Sequence, residues 1–254
     1  MGIIRKLVDQ QIALSNWFDK FFLKEKFLID GNRDYINVFL PSFLDVIKES
    51  STVYDVGCGK NPAISLEIKR KNKLKINGID ISKNELLKAP TGALDSCIEA
   101  DICNYNGKND GDLVLCQALL EHVPNVELAF KSIYSLLQKD GVALIFVPSR
   151  NAVFAQLNNI LPQTFKRFLL HGIFPNSSRD QGFPSFYDHC TPKDFRKFSA
   201  QYGFKVEEIR TYYISNYFSF CFPLYFVWRL WMLLFEKLKG EQSAETFCMK
   251  LRRI

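Results

Sequence analysis

The stretch that most restricts the fold of this chain is Val53-Tyr54-Asp55-Val56-Gly57-Cys58-Gly59-Lys60-Asn61-Pro62. Its first half is a short β-type run carrying an acid. Its second half sets two glycines one residue apart ahead of a proline suited to the first turn of a helix. A strand that passes through a glycine-rich turn into a helix is the framework of a nucleotide-type site. Glycine lets the backbone approach a ligand closely, and a helix N-terminus offers unpaired N–H groups. A nicotinamide-type turn, G-x-G-x-x-G, brings a pyrophosphate to the glycines. A carboxylate at Asp55, two residues before Gly57, suits instead a ligand carrying an amino group.

A chain of 254 residues, 47% of them apolar, can bury a substantial core as one large α/β domain with insertions or as two small ones. A net charge of +6 permits contact with anionic surfaces without requiring nucleic acid. The seven cysteines are odd in number and irregularly spaced, which predicts reduced thiols in a cytoplasmic protein. Met1 to Lys6 leads into no long apolar core, so a cleaved signal peptide is not expected. No metal-ligand set is expected.

Residues 1–50 are expected to form a helical cover or lid, with a turn at Asp30-Gly31-Asn32 and a helix over 35–49 that buries Tyr35, Val38, Phe39, Phe43 and Val46 and bends at Pro41. Residues 51–148 alternate strand and helix. Strands are predicted at 53–56, 74–79, 94–100, 111–116 and 142–147, with helices near 62–69, 83–88 and 125–138. That alternation implies right-handed crossovers and a parallel doubly wound sheet, with ligands at the C-terminal strand ends. Residues 149–190 form an apolar insertion on the acceptor side, with a loop at 175–184. Residues 191–254 return to the core through a helix capped by Thr191, a strand at 204–212 and a last strand at 245–253, with an apolar helical insertion at 213–240.

The D-x-G-x-G pattern of Asp55, Gly57 and Gly59 resembles motif I of the class I S-adenosylmethionine-dependent methyltransferases, of the type 11/12-like kind. An acid ending the second strand (Asp80), another ending the third (Asp101) and the run from Gln117 through Glu121-His122-Val123 extend the likeness over residues 50–148, with a weaker echo at 191–212 and 245–253. The resemblance implies a Rossmann-like α/β fold: a doubly wound seven-stranded sheet, last strand antiparallel, with helical apolar insertions. It also implies S-adenosyl-L-methionine as methyl donor. By position, Asp55, Gly57, Cys58 and Gly59 would hold its amino-acid part. Asp80 and Ile81 would meet the ribose, Asp101 and Ile102 the adenine, and Gln117 the methionine portion. The chain departs from the pattern at Asn61, where a small residue is common, so the path of the loop stays open.

Methyl transfer needs alignment of donor and acceptor, and removal of a proton where the acceptor is a hydroxyl. His122, Tyr187 and His189 are the candidates for that step, and Arg150 and Asp188 could also reach an acceptor. Each has a plainer reading: His122 as a loop-holding residue, 182–190 as a loop packed by its own aromatics, Asp101 as a cap. The cationic run Lys69 to Lys75 is read as a solvated face at a helix C-terminus. From Tyr212 to Trp228 there is no charged residue; then come Arg229, Lys237 and Lys239, which could meet anionic head groups. This favours docking on the inner face of a membrane over a dimer interface, a buried core or a span. The expected function is methyl transfer, most plausibly to oxygen, on a small-molecule, glycan or lipid-linked saccharide acceptor. The alternatives are a non-catalytic membrane-associated scaffold, a nicotinamide-dependent oxidoreductase and a nucleic-acid methyltransferase. No N/D-P-P-Y-type segment supports the last, and no nucleic-acid partner is expected.

Overall fold

The computed structural model describes residues 2–44, 48–160, 184–214 and 218–254. One seven-stranded sheet organises the chain: β1 (Thr52–Val56), β2 (Lys75–Asp80), β3 (Ser96–Glu99), β4 (Gly111–Gln117), β5 (Leu137–Pro148), β6 (Phe204–Tyr212) and β7 (Thr246–Arg253). Their order is β3-β2-β1-β4-β5-β7-β6. The first five pair in parallel, while β7 runs antiparallel to both neighbours. The order reverses between β1 and β4, which opens a crevice at their C-terminal ends. β5 starts earlier than the apolar run predicts, because a shift in register lets Leu137 pair with Gly111.

Alternation along each strand sends side chains to two cores. On one face Val114, Cys116, Ala143, Ile145 and Phe247 pack beneath α6 (Val126–Leu136) and α8 (Pro192–Tyr202). Phe130 lies 4.9 Å from Phe195 and 5.6 Å from Phe198 there. Each such buried ring stabilises the fold by about 1.5–3 kcal/mol. On the other face Leu113, Leu115, Val142 and Leu144 meet Tyr35, Phe39, Leu40 and Leu44. Thr191 caps α8 through the Asp194 N–H, and Gly203 closes it in the left-handed region.

Three local expectations are corrected. Residues 31–32 open a helix rather than a turn: the Asp30 carboxylate accepts the Arg33 N–H at 3.0 Å and caps α2 (Gly31–Asp34). A π-helical turn (Tyr35–Phe39) and α3 (Leu40–Leu44) follow. Pro41 has no N–H for a regular bond, and the ladder widens just before it. Tyr35 and Phe39 are buried as expected, but Val38 is half exposed, and Val46 lies outside the described residues. α4 begins at Leu66 (Leu66–Lys71), not at Pro62, because Ser65 caps it. Lys69 is not solvated: it is buried, 2.9 Å from Asp95 and 2.8 Å from the Gly92 carbonyl. α5 (Lys83–Leu86) is short and capped by Ser82. Of the 149–190 insertion, α7 (Val153–Ile160) and residues 184–190 are described; the expected loop at 175–184 lies outside except for Pro184.

The N-terminal helix α1 (Gly2–Phe22) packs on α9 (Phe222–Lys239). Gln11 meets Phe222, Asp19 meets Tyr225 and Arg229, and Lys26, just beyond α1, meets Glu236, so the two helices run in the same direction. Arg229 therefore cannot reach a head group. It is fully buried, bonded to both Asp19 carboxylate oxygens and to the Tyr213 carbonyl. Among the described residues, no helix is long and apolar enough to cross a membrane.

Candidate functional site

The glycine turn leaves β1 with Gly57 at φ +76° and Gly59 at φ +46°. A Cβ on Gly57 would lie 2.8 Å from Leu119, so glycine is required there twice over. The Asp55 carboxylate is buried and accepts the Ala63 N–H at 2.7 Å, closing the loop across its base; burial pushes its pKa up to about 7. Asp80 ends β2 and ties the second strand to the turn, accepting the Gly59 N–H at 3.0 Å and the Ser82 N–H at 2.8 Å. Ile81, next to it, is 63% exposed. Asp101 caps its own turn through the Cys103 N–H and the Asn104 amide. Ile102 is buried in the core under α6, and Cys58 is buried with its sulfur toward Gly78. Gln117, at the end of β4, donates to Asn32 of the N-terminal segment at 3.4 Å.

Next to this row of strand ends lies an open cavity of about 390 Å³. Among the described residues its polar lining is Asn32, Glu121, His122, Ser185, Tyr187 and Thr246, and its apolar lining is Phe146, Pro148, Phe154 and Ile214. Two of the three expected acceptor-side residues meet here. His122 sits on a short helical turn, with Nδ1 3.0 Å from the Pro184 carbonyl. Tyr187 is buried at φ +50°. The third does not join them. His189 also has φ +50°, but it pairs with Asp188 at 2.7 Å and lies edge-on to Phe198 at 5.8 Å, away from the described lining. Asp188 caps α6 through the Val126 N–H, and Arg150 is exposed outside that lining.

A profile of the methyltransferase domain family matches residues 26–209. The chain belongs to that family. By family it is a class I S-adenosylmethionine-dependent methyltransferase. Trans-aconitate 2-methyltransferase of Escherichia coli O139:H28 is 30% identical over 137 residues, 53% of this chain, and the match spans only about half (52%) of that relative's length. In fold the methyltransferase resembles a putative S-adenosylmethionine-dependent methyltransferase from Listeria monocytogenes (TM-score 0.55, 14% identity, 88% of this chain and 98% of that one). It also resembles Haemonchus contortus phosphoethanolamine N-methyltransferase 2, solved with S-adenosyl-L-methionine (TM-score 0.54, 16% identity, 96% of this chain and 57% of that one). Membership of this family does not support the nicotinamide-dependent oxidoreductase alternative.

The methyltransferase's own residues fit its donor. A bare backbone edge at Gly59 adjoins a carboxylate, Asp80, which has lone pairs left for a diol. The Tyr35 hydroxyl is fully buried, has no partner among the described residues, and lies close enough to Asp55 for its charge, after burial itself, to raise the phenol's pKa. An orphaned donor beside a buried acid is where a zwitterionic amino-acid group finds both partners.

Sequence reasoning missed Tyr35 and Asn32 as site residues because both lie in the N-terminal segment, far from the motifs in the chain. It also passed over Glu121, named only as a neighbour of His122. Glu121 is 4% exposed, and its Oε2 has no partner among the described residues. Burial pushes its pKa up to about 7. Its carbonyl accepts the N–H groups of Phe186 and Tyr187, which fixes the loop that forms the far wall of the cavity. A carboxylate inside an otherwise apolar run was the available signal.

Proposed function

We propose that this methyltransferase transfers the methyl group to an oxygen of an acceptor with an apolar body, a lipid-linked or similarly amphipathic saccharide, while docked on the inner face of a membrane. The donor is proposed to lie across Gly57, Cys58 and Gly59, with Asp55 at its amino group and Asp80 and Ile81 at the ribose. Asp101 and Ile102 would frame the adenine and Gln117 the methionine part, with His122 and Tyr187 facing the acceptor. The observation that carries this reading is the outer surface of the α1/α9 pair. Trp17, Phe21 and Phe22 on one helix and Val227, Trp231 and Leu238 on the other are each 48–68% exposed. Exposed Arg5, Lys6, Lys20, Lys237 and Lys239 accompany them. Aromatic and aliphatic side chains with flanking cations suit the interface of an anionic bilayer. In the chain, Tyr213, whose carbonyl accepts from Arg229, directly precedes Ile214 of the cavity lining.

A polycarboxylate acceptor, as named for the relatives, would call for cations at the acceptor, and the described lining holds neither lysine nor arginine. The test is transfer of labelled methyl from S-adenosylmethionine into the solvent-extracted lipid fraction and the aqueous small-molecule fraction of cells. Vesicle flotation on phosphatidylglycerol and on phosphatidylcholine accompanies it. Label in the lipid fraction with flotation on phosphatidylglycerol is expected. Label confined to small aqueous acids, without flotation, overturns the reading.

A further inference from the structure

We infer that Glu121 receives the acceptor's hydroxyl group and takes its proton, so that the cavity is built for an alcohol or a phenol. This rests on the oxygen-acceptor reading and names the residue and the acceptor group that reading leaves open. Three observations carry it. Glu121 is almost fully buried yet lines the cavity, and its Oε2 is without a partner among the described residues. A buried carboxyl oxygen left bare is costly, about 1–3 kcal/mol, unless something arrives to donate to it.

The second observation is the proton count beside it. The His122 Nδ1 faces the Pro184 carbonyl at 3.0 Å, and a carbonyl only accepts, so Nδ1 carries a hydrogen. The Nε2 then turns to the Glu121 Oε1 at 3.7 Å. The imidazole thus lies on the Oε1 side of Glu121, beyond hydrogen-bond distance, and Oε2 is the carboxyl oxygen left bare beside the cavity that Glu121 lines.

The third is the setting. Among the described residues, the thiols of Cys116 on β4 and Cys190 on the loop also feel the charge of Glu121, and Tyr187 shares its cavity. Burial, with the charge of Glu121 a lesser cause, keeps both thiols neutral. Burial also brings the Glu121 carboxyl near neutral pH, where a general base works best. In the reaction the acceptor's O–H bond breaks and the proton passes to Oε2. The oxygen's electron pair forms the new bond to the methyl carbon, and the carbon–sulfur bond breaks with its pair left on sulfur. The positive charge of the sulfonium leaves as the proton now held on Glu121.

The test does not need the natural acceptor. Ligand-observed NMR measures the affinities of phenol and of toluene, its hydroxyl-free counterpart, for wild type and Glu121→Gln at pH 6 and pH 8. A hydrogen bond to an ionised carboxylate predicts that wild type prefers phenol by about 10-fold or more at pH 8 and by less at pH 6. In Glu121→Gln the preference should shrink and lose its pH dependence, with affinity for S-adenosylhomocysteine unchanged. No preference in wild type, or the same preference and pH dependence in the variant, overturns the inference. Failure of labelled methyl transfer with the phenol preference intact would count against the proposed acceptor class and leave Glu121 standing.

Discussion

Asp19→Ala tests the join between α1 and α9. In the wild type the Asp19 carboxylate accepts from Arg229 Nε at 3.0 Å, from Arg229 Nη2 at 2.5 Å and from the Tyr225 hydroxyl at 2.5 Å. The variant leaves a guanidinium with no solvent exposure. It keeps the Tyr213 and Phe27 carbonyls, at 2.8 and 3.3 Å, and ring contacts to Trp228 and Tyr225, but loses its counter-charge. Breaking a buried pair in this way costs about 3–5 kcal/mol. With a urea slope of about 2 kcal/mol/M, the midpoint falls by about 2 M. The protein's three tryptophans, Trp17, Trp228 and Trp231, all lie on these two helices, so tryptophan fluorescence follows the pair while far-UV circular dichroism follows the whole fold. If the pair detaches before the sheet unfolds, only the fluorescence transition moves. Asp19→Leu with Arg229→Met removes both charges and should restore the wild-type midpoint or exceed it. A single variant that shifts neither transition by more than about 0.5 M, roughly 1 kcal/mol at that slope, would refute the buried pair.

Asp80→Ala removes the acceptor that holds the Gly59 and Ser82 N–H groups, and calorimetry should show S-adenosylhomocysteine affinity reduced at least about 100-fold, two charge-assisted bonds' worth. Gly57→Ala combines a strained φ with a clash on Leu119 and should cost about 1–3 kcal/mol, read as a lower urea midpoint. Glu245 is buried and pushed up to about 7, well above the value near 4 of an unfolded carboxyl. Its folded form therefore holds a proton the unfolded chain gives up. That contribution is complete below about pH 4 and is lost as pH rises through 7, so Glu245→Gln should gain stability relative to wild type across that window.

The sheet and its glycine turn were legible because both are local in sequence. A strand followed by Asp55-x-Gly57-x-Gly59, acids at Asp80 and Asp101, and the β5 apolar run each declare themselves within a few residues. What stayed hidden is long-range. Nothing near Arg229 in the chain says that its counter-ion is Asp19, so a cation in an apolar run looked like a head-group ligand. Tyr35 and Asn32 read as part of a cover, although folding sets one beside Asp55 and the other against Gln117. Tyr187 and His189 looked equivalent in sequence. Their shared positive φ within one tight loop sends the first inward and leaves the second against Phe198.

These long-range contacts link the apolar face to the cavity through one segment. α1 is pinned to α9 by Asp19, and the chain then passes Phe27, whose carbonyl also holds Arg229. Four residues beyond Asp30, the Asp34 carboxylate accepts from the Tyr212 hydroxyl at 2.6 Å and pairs with Arg210 at 3.3 Å, fastening the helix to β6. Between these anchors Asn32 reaches Gln117 at the crevice and lines the cavity, and just beyond them Tyr35 packs against Phe146 and feels the charge of Asp55. The α1 part of the proposed docking face and the residues that reach the crevice, Asn32 and Tyr35, are therefore successive parts of one stretch of chain.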